Sequence, residues 1–195
     1  VEKYSLLILG WIGYLGLHSV FAADGVKQYF RKHMQRGYRY YRLLYVFFST
    51  IGLLAMLLLN ASISSVYLIE SDGWNRYFSM MLATFAIFIF KTAFKQYSLR
   101  GFTGFESDDH ESFKADGILK HVRHPIYSAT ILMVVGFWLF IPNVTTLISA
   151  CCIFIYLAIG IPLEERKLIK KYGEAYVLYR GKVPAIFPRI YSTRS

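Results

Sequence analysis

The sequence predicts an all-α fold, an integral membrane bundle of five transmembrane helices with a cytoplasmic C-terminal helix. Three observations carry that expectation. Of 195 residues, 55% are hydrophobic and only 17% are charged, outside the usual range of a soluble domain. The apolar residues gather in runs approaching the length that the hydrocarbon thickness of a bilayer demands of a helix. The basic residues, which give a formal charge of +10, are concentrated in alternate connections between those runs. A basic excess arranged this way marks the cytoplasmic face and its anionic lipids rather than nucleic acid. Membrane lipids are therefore expected partners, and nucleic acid is not.

The first span is expected over roughly Tyr4 to Ala22. Its basic residues follow the apolar run instead of preceding it, which separates it from a cleavable signal peptide. The second span runs over roughly Tyr41 to Leu59 and the third over roughly Trp74 to Tyr97. The fourth, roughly Ile126 to Ile141, and the fifth, roughly Thr145 to Pro162, are parted by Pro142 and Asn143, so they read as a tight helical hairpin. Leu163 to Tyr179 then reads as a surface or folded-back helix of good helix formers, ended by Gly181 and Pro184.

Orientation follows from the cations. Lys27, Arg31, Lys32, Arg36 and Arg39 separate spans one and two, a further group including Lys95, Arg100, Lys120 and Arg123 follows span three, and eight more follow span five. Only Lys3 and Arg76, of 22 Lys and Arg residues, fall on the opposite side. The amino terminus is expected outside and the carboxyl terminus in the cytoplasm. Chemistry is expected on that cytoplasmic face, in residues 98–125 and 163–195. Cys151 and Cys152 are adjacent in a helix and point apart, which suits neither a disulfide nor a metal site.

Two motifs stand on the loaded face. In Gly117-Ile118-Leu119-Lys120-His121-Val122-Arg123-His124-Pro125-Ile126-Tyr127, Pro125 suits the first turn of span four, whose free amide groups attract anions. Arg123 and His124 add donors there, either as a receptor for a carboxylate or phosphate or as anchors for lipid headgroups. In the second motif Glu164 and Glu165 directly follow a span. They either accept from an ammonium group or ribose hydroxyls, or pair with Lys167 and Lys170 along the helix. The hairpin returns both motifs to one face, where a zwitterionic nucleotide would satisfy donors and acceptors together.

Earlier in the chain, His18 near the inner end of span one, and Arg42 and Tyr45 near the inner start of span two, reach the same depth. Polar and ionisable groups within apolar spans are functional candidates by default. Lys91 and Lys95 read as snorkelling anchors. His110, His121 and His124 lack a completing carboxylate or cysteine, so no metal site is expected.

Arg-His-Pro-x-Tyr at 123–127, Glu-Glu-x-x-Leu at 164–168, Tyr-Gly-x-x-Tyr at 172–176, Tyr179 and Val183-Pro184 resemble the isoprenylcysteine carboxyl methyltransferase and phospholipid methyltransferase superfamily. His18-Ser19 and Tyr41-Arg42-Leu43-Leu44-Tyr45 look more like its bacterial branches, which include methanethiol S-methyltransferases and NnrU-like proteins. The resemblance implies a membrane methyltransferase using S-adenosyl-L-methionine. It implies a single domain over 1–195, with 1–97 a three-helix part and 98–195 the cofactor-binding part. Cofactor contacts are implied at Lys114, Gly117, Ile118, Leu119, Arg123, His124, Pro125, Ile126, Tyr127, Glu164 and Glu165, and the acceptor side at His18, Arg42 and Tyr45. Leu119 stands where many members have tyrosine. Ile159 and Gly160 stand where an arginine would hold the carboxylate of prenylcysteine, which points to a small or lipophilic acceptor such as a thiol. A lipid methyltransferase, a NADPH-dependent membrane reductase and a non-catalytic membrane protein are the competing classes.

Overall fold

The computed structural model describes residues 2–34, 37–70, 73–95, 113 and 115–189. Among these residues the chain forms seven α-helices, one 3₁₀ turn and no strand. The helices are α1 (Glu2–Ala22), α2 (Asp24–Met34), α3 (Tyr38–Ser62), α4 (Gly73–Phe94), α5 (Pro125–Phe140), α6 (Val144–Tyr172) and α7 (Glu174–Lys182), with the 3₁₀ turn at Gly117–Lys120. Four of them, α1, α3, α4 and α6, are long and apolar enough to cross a membrane. The fifth apolar helix, α5, has 16 residues, about 24 Å at 1.5 Å per residue, against a hydrocarbon core of about 30 Å. Leu6, Leu9, Leu44, Phe47, Leu58 and Phe88 all point outward, an arrangement that water penalises and lipid does not.

Local chemistry sets the helix boundaries. Pro125 occupies the first turn of α5, where its missing N–H is no loss. Asn143 caps α6: its Oδ1 accepts from the backbone N of Thr146 at 2.9 Å and from Thr146 Oγ1 at 2.8 Å, the usual work of an N-cap amide. The tight hairpin expected at Pro142 and Asn143 is thus present.

Two expectations need correction. Pro162 does not end the fifth apolar run, because α6 continues through it to Tyr172. The ring removes one backbone donor, a loss that apolar helices commonly absorb, and the helix formers after it carry the helix on. The single helix expected over Leu163 to Tyr179 is broken instead at Gly173, where φ is +59°, a conformation that glycine alone adopts without strain. Gly181 lies inside α7. The short helix α2 was not foreseen. Asp24 in its first turn and Arg31, Lys32 and His33 in its last suit the helix dipole.

Small residues make the closest helix contact. Ser79, Ala86 and Ala93 recur every seven residues on α4, and Ala129 and Gly136 do so on α5; all five are buried. A Cβ at Gly136 would stand 3.1 Å from the Ser79 carbonyl oxygen, so the two backbones touch through the small-residue seam that membrane helices favour. Across α1, α3 and α6 runs a buried polar chain. Trp11 Nε1 donates to Ser149 Oγ at 2.8 Å, Ser149 Oγ to Asn60 Oδ1 at 2.9 Å, and Asn60 Nδ2 to Thr146 Oγ1 at 3.3 Å.

Both ends of the bundle are pinned. At one end Leu68 N donates to Pro142 O at 2.8 Å and Val144 N to Val66 O at 3.1 Å. At the other, the segment after α7 returns to the start of α5: Arg123 N donates to Pro184 O and His124 N to Ala185 O, each at 2.9 Å. Ser128 Oγ adds a bond to Ile186 O at 2.6 Å. This second end carries the cations of α2, of residues 120–123, of the last turns of α6 and of α7, while Lys3 and Arg76 lie at the first.

Candidate functional site

A cavity of about 650 Å³ opens at the basic end, within the range of small-ligand sites. Its wall is built from five elements. The end of α1 and its elbow into α2 contribute Ser19, Ala22 and Ala23, α3 contributes Tyr45, and α4 contributes Phe94. The start of α5 brings His124, Pro125, Ile126 and Tyr127, and α6 brings Tyr156, Gly160, Leu163, Glu164 and Lys167. Most of this lining is apolar, and its few polar groups come from facing helices.

Behind the wall lies an ionic cluster centred on Glu165, whose side chain is 8% exposed. Arg123 Nη1, on a side chain 11% exposed, stands 2.8 Å from Glu165 Oε1, at ion-pair distance but without the alignment of a hydrogen bond. His124 Nε2 is 3.3 Å from the same oxygen and Arg180 Nε is 3.2 Å from Oε2. The cluster therefore ties α5, α6 and α7 together. Removing Glu165 would leave the buried Arg123 guanidinium uncompensated, a cost of about 3–5 kcal/mol. The neighbouring Glu164 turns the other way: it is 41% exposed, lines the cavity, and its Oε2 lies 3.7 Å from His124 Nδ1.

Above the cluster, the rings of Tyr172, Tyr176 and Tyr179 surround Phe113. Tyr179 Oη donates to Leu119 O at 2.6 Å, fastening α7 to the 3₁₀ turn. The Tyr176 hydroxyl is buried without a hydrogen-bond partner among the described residues. Burial, with the Glu165 carboxylate adding to it, pushes its phenol up to about 12.

The structure brings several of the residues singled out in the sequence into the cavity wall: Tyr45, His124, Pro125, Ile126, Tyr127 and Glu164. Arg123 and Glu165 face each other behind it. Gly117, Ile118 and Leu119 form the 3₁₀ turn, which packs under α7 and does not line the cavity. Lys114 lies outside the described residues. His18 sits one layer behind Tyr45, its Nε2 3.1 Å from Tyr45 Oη, and Arg42 is half-buried on α3 outside the lining.

Eight lining residues are not among the site residues expected from the sequence: Ser19, Ala22, Ala23, Phe94, Tyr156, Gly160, Leu163 and Lys167. The five α6 positions carry a legible signal. Residues 156, 160, 163, 164 and 167 follow the spacing of one helix face, but only if the helix is allowed to continue through Pro162.

Four helices of bilayer length around a mixed polar and apolar cavity define a membrane protein with a small-ligand pocket. A family profile described as NnrU protein matches residues 6–183, and the chain belongs to that family. Among curated relatives, the methanethiol S-methyltransferase of Pseudomonas deceptionensis is 29% identical over 188 residues, covering 89% of this chain and 68% of the relative. That of Crocosphaera subtropica is 38% identical over 79 residues, 40% of this chain and 30% of the relative. The protein-S-isoprenylcysteine O-methyltransferase of Schizosaccharomyces pombe is 34% identical over 76 residues, 38% of this chain and 32% of the relative. Two of these matches thus span about a third of the relative's length. No solved structure matches the chain.

Proposed function

We propose that this protein is an integral membrane methyltransferase that uses S-adenosylmethionine to methylate a small or lipophilic acceptor, a thiol in preference to prenylcysteine or a phospholipid. The observation that carries the reading is the meeting of Glu164, His124 and Tyr127 with Tyr45 around one cavity, taken with the methyltransferase names of the relatives. The donor set suits the cofactor. Glu164 is a carboxylate for an ammonium group or ribose hydroxyls, Lys167 is a cation for a carboxylate, and Pro125, Ile126 and Leu163 offer apolar surface. When bound, S-adenosylmethionine supplies a methyl group on a sulfonium centre.

What the chain itself does is modest. The cavity walls exclude water and orient the reactants, which is worth several kcal/mol in reactions of this kind. Glu165, held by Arg123, His124 and Arg180, keeps the α5 start and α6 in register, so that Glu164 is left to the ligand. In this reading all five apolar helices span the bilayer, with the basic end in the cytoplasm where a water-soluble cofactor enters.

Calorimetry on the detergent-purified protein with S-adenosylmethionine, S-adenosylhomocysteine and NADPH tests the proposal. The first two are expected to bind. Glu164→Ala and His124→Ala each lose a polar contact worth roughly 1.5–3 kcal/mol, so affinity is expected to fall about tenfold to a hundredfold. Binding of NADPH alone would replace the reading with a reductase. Binding of none of the three would leave a non-catalytic membrane protein.

A further inference from the structure

Polar side chains are costly in the apolar part of a bundle, and a cluster of them extends inward from the cavity. Tyr45 lines the cavity, and its Oη lies 3.1 Å from His18 Nε2. His18 Nδ1 lies 3.0 Å from Ser49 Oγ. The two rings are close and tilted, with centroids 5.3 Å apart. The groups facing His18 are Tyr14 on its own helix, Tyr45 and Ser49 on α3, and Tyr156 on α6, all neutral at pH 7. With the Nδ1 proton directed at Ser49, Nε2 is free to accept from Tyr45. An imidazole held this way is a base one hydrogen bond removed from the cavity.

Resting on the methyl-transfer reading above, we propose that Tyr45 and His18 form a two-residue proton relay that ionises a thiol acceptor in the cavity. Tyr45 is the residue that touches the acceptor, and His18 acts through it. The S–H bond of the acceptor breaks and its proton goes to Tyr45 Oη, while Tyr45's own proton passes to His18 Nε2. The electron pair stays on the acceptor sulfur. A neutral thiol and a neutral imidazole become a thiolate and an imidazolium; because the methylated sulfur cannot take the proton back, His18 returns it through Tyr45 to water in the cavity once the product has left. A thiolate is the nucleophilic form of sulfur, and in surroundings this apolar it needs a nearby proton acceptor to form.

A purely structural role for His18, tying α1 to α3, is the competing account, and His18→Gln separates the two. Glutamine keeps hydrogen bonds to Tyr45 and Ser49 but takes no proton. The probe is 4-nitrothiophenol, whose thiolate is coloured, titrated against pH with the purified protein in detergent and no cofactor. In the wild type the bound thiol is expected to ionise at lower pH than in protein-free micelles, and His18→Gln and Tyr45→Phe are expected to return it to the micelle value. In methyl transfer from radiolabelled S-adenosylmethionine to a simple alkanethiol, which unlike the nitro-substituted probe is protonated at neutral pH, kcat at neutral pH is expected to fall about a hundredfold in both variants. Cofactor affinity should be unchanged and activity should recover at alkaline pH, where thiolate forms unaided.

Wild-type ionisation and an unaltered pH profile in His18→Gln would overturn the relay. If that variant does not fold, Tyr45→Phe, which removes a single oxygen, decides by the same criterion. Absence of cofactor binding and transfer in the wild type would instead overturn the methyltransferase reading, and the cofactor-free titration would still judge the relay.

Discussion

At the scale of the residue, the two adjacent glutamates show how position divides labour between like side chains. Glu164 and Glu165 are 100° apart around α6, which suffices to put one on the cavity and the other in an ion cluster. The sequence showed the pair but not the division, because the division depends on where Arg123 and Arg180 arrive from other helices. Tyr176 belongs to the same neighbourhood, and its hydroxyl is buried without a partner among the described residues. Tyr176→Phe keeps the ring against Phe113 and removes an unsatisfied oxygen, so at neutral pH the variant is expected to be as stable as the wild type or more so, by up to about 1–3 kcal/mol. The gap should widen in alkali. A phenol raised to about 12 in the folded chain loses its proton first in the unfolded chain, near pH 10. Above that pH the folded state holds more protons, and stability falls as pH rises towards 12. Thermal unfolding of both proteins in detergent between pH 7 and 11 checks this, and a less stable Tyr176→Phe would show that the hydroxyl has a partner.

At the scale of the element, the α4–α5 seam makes the sharpest claim. Gly136 faces the Ser79 carbonyl with no room for a side chain, whereas a Cβ at Gly16 on α1 meets nothing within 4 Å. Gly136→Val is therefore expected to destabilise the bundle by about 1–3 kcal/mol through overpacking. Gly16→Ala should be neutral, or stabilising by up to about 1 kcal/mol through helix propensity. Equal unfolding temperatures for the two variants would remove the seam. Apolar length alone made the long helices legible, and Pro125 and Asn143 marked two of their starts within a residue. The continuation of α6 past Pro162 was illegible because a proline reads as a stop in water, and the break at Gly173 because its positive φ is a property of the folded backbone. The amphipathic helix α2 was hidden by its shortness: 11 residues give only three turns in which to see a face. The cavity suffered from the same cause as α6, since five of its lining residues lie on the stripe that crosses Pro162.

At the scale of the whole molecule, the two ends differ in charge, and that difference is what orients a bundle during insertion. One end holds the 63–70 linker pinned to the α5–α6 hairpin, with Lys3 and Arg76 beside it. The other gathers the remaining described cations around the cavity and α7. The ends cannot exchange roles without carrying that whole positive cluster across the bilayer, at about 2.5–3.5 kcal/mol for each Lys or Arg on the insertion scale. Glu165 and Asp24 offset only part of it, through Arg123, Arg180 and Lys167. The orientation is therefore expected to be single, with the basic end in the cytoplasm. Cysteines placed at Ser64 and at Gly181, in a background where Cys151 and Cys152 are alanine, test it with a membrane-impermeant maleimide. Ser64 is exposed at the linker end and Gly181 at the end of α7. Labelling of the first in intact cells and of the second only after permeabilisation is the expected result. Labelling of Gly181→Cys from outside would invert the bundle, and it would put the cavity mouth on the side where a cytoplasmic cofactor is absent.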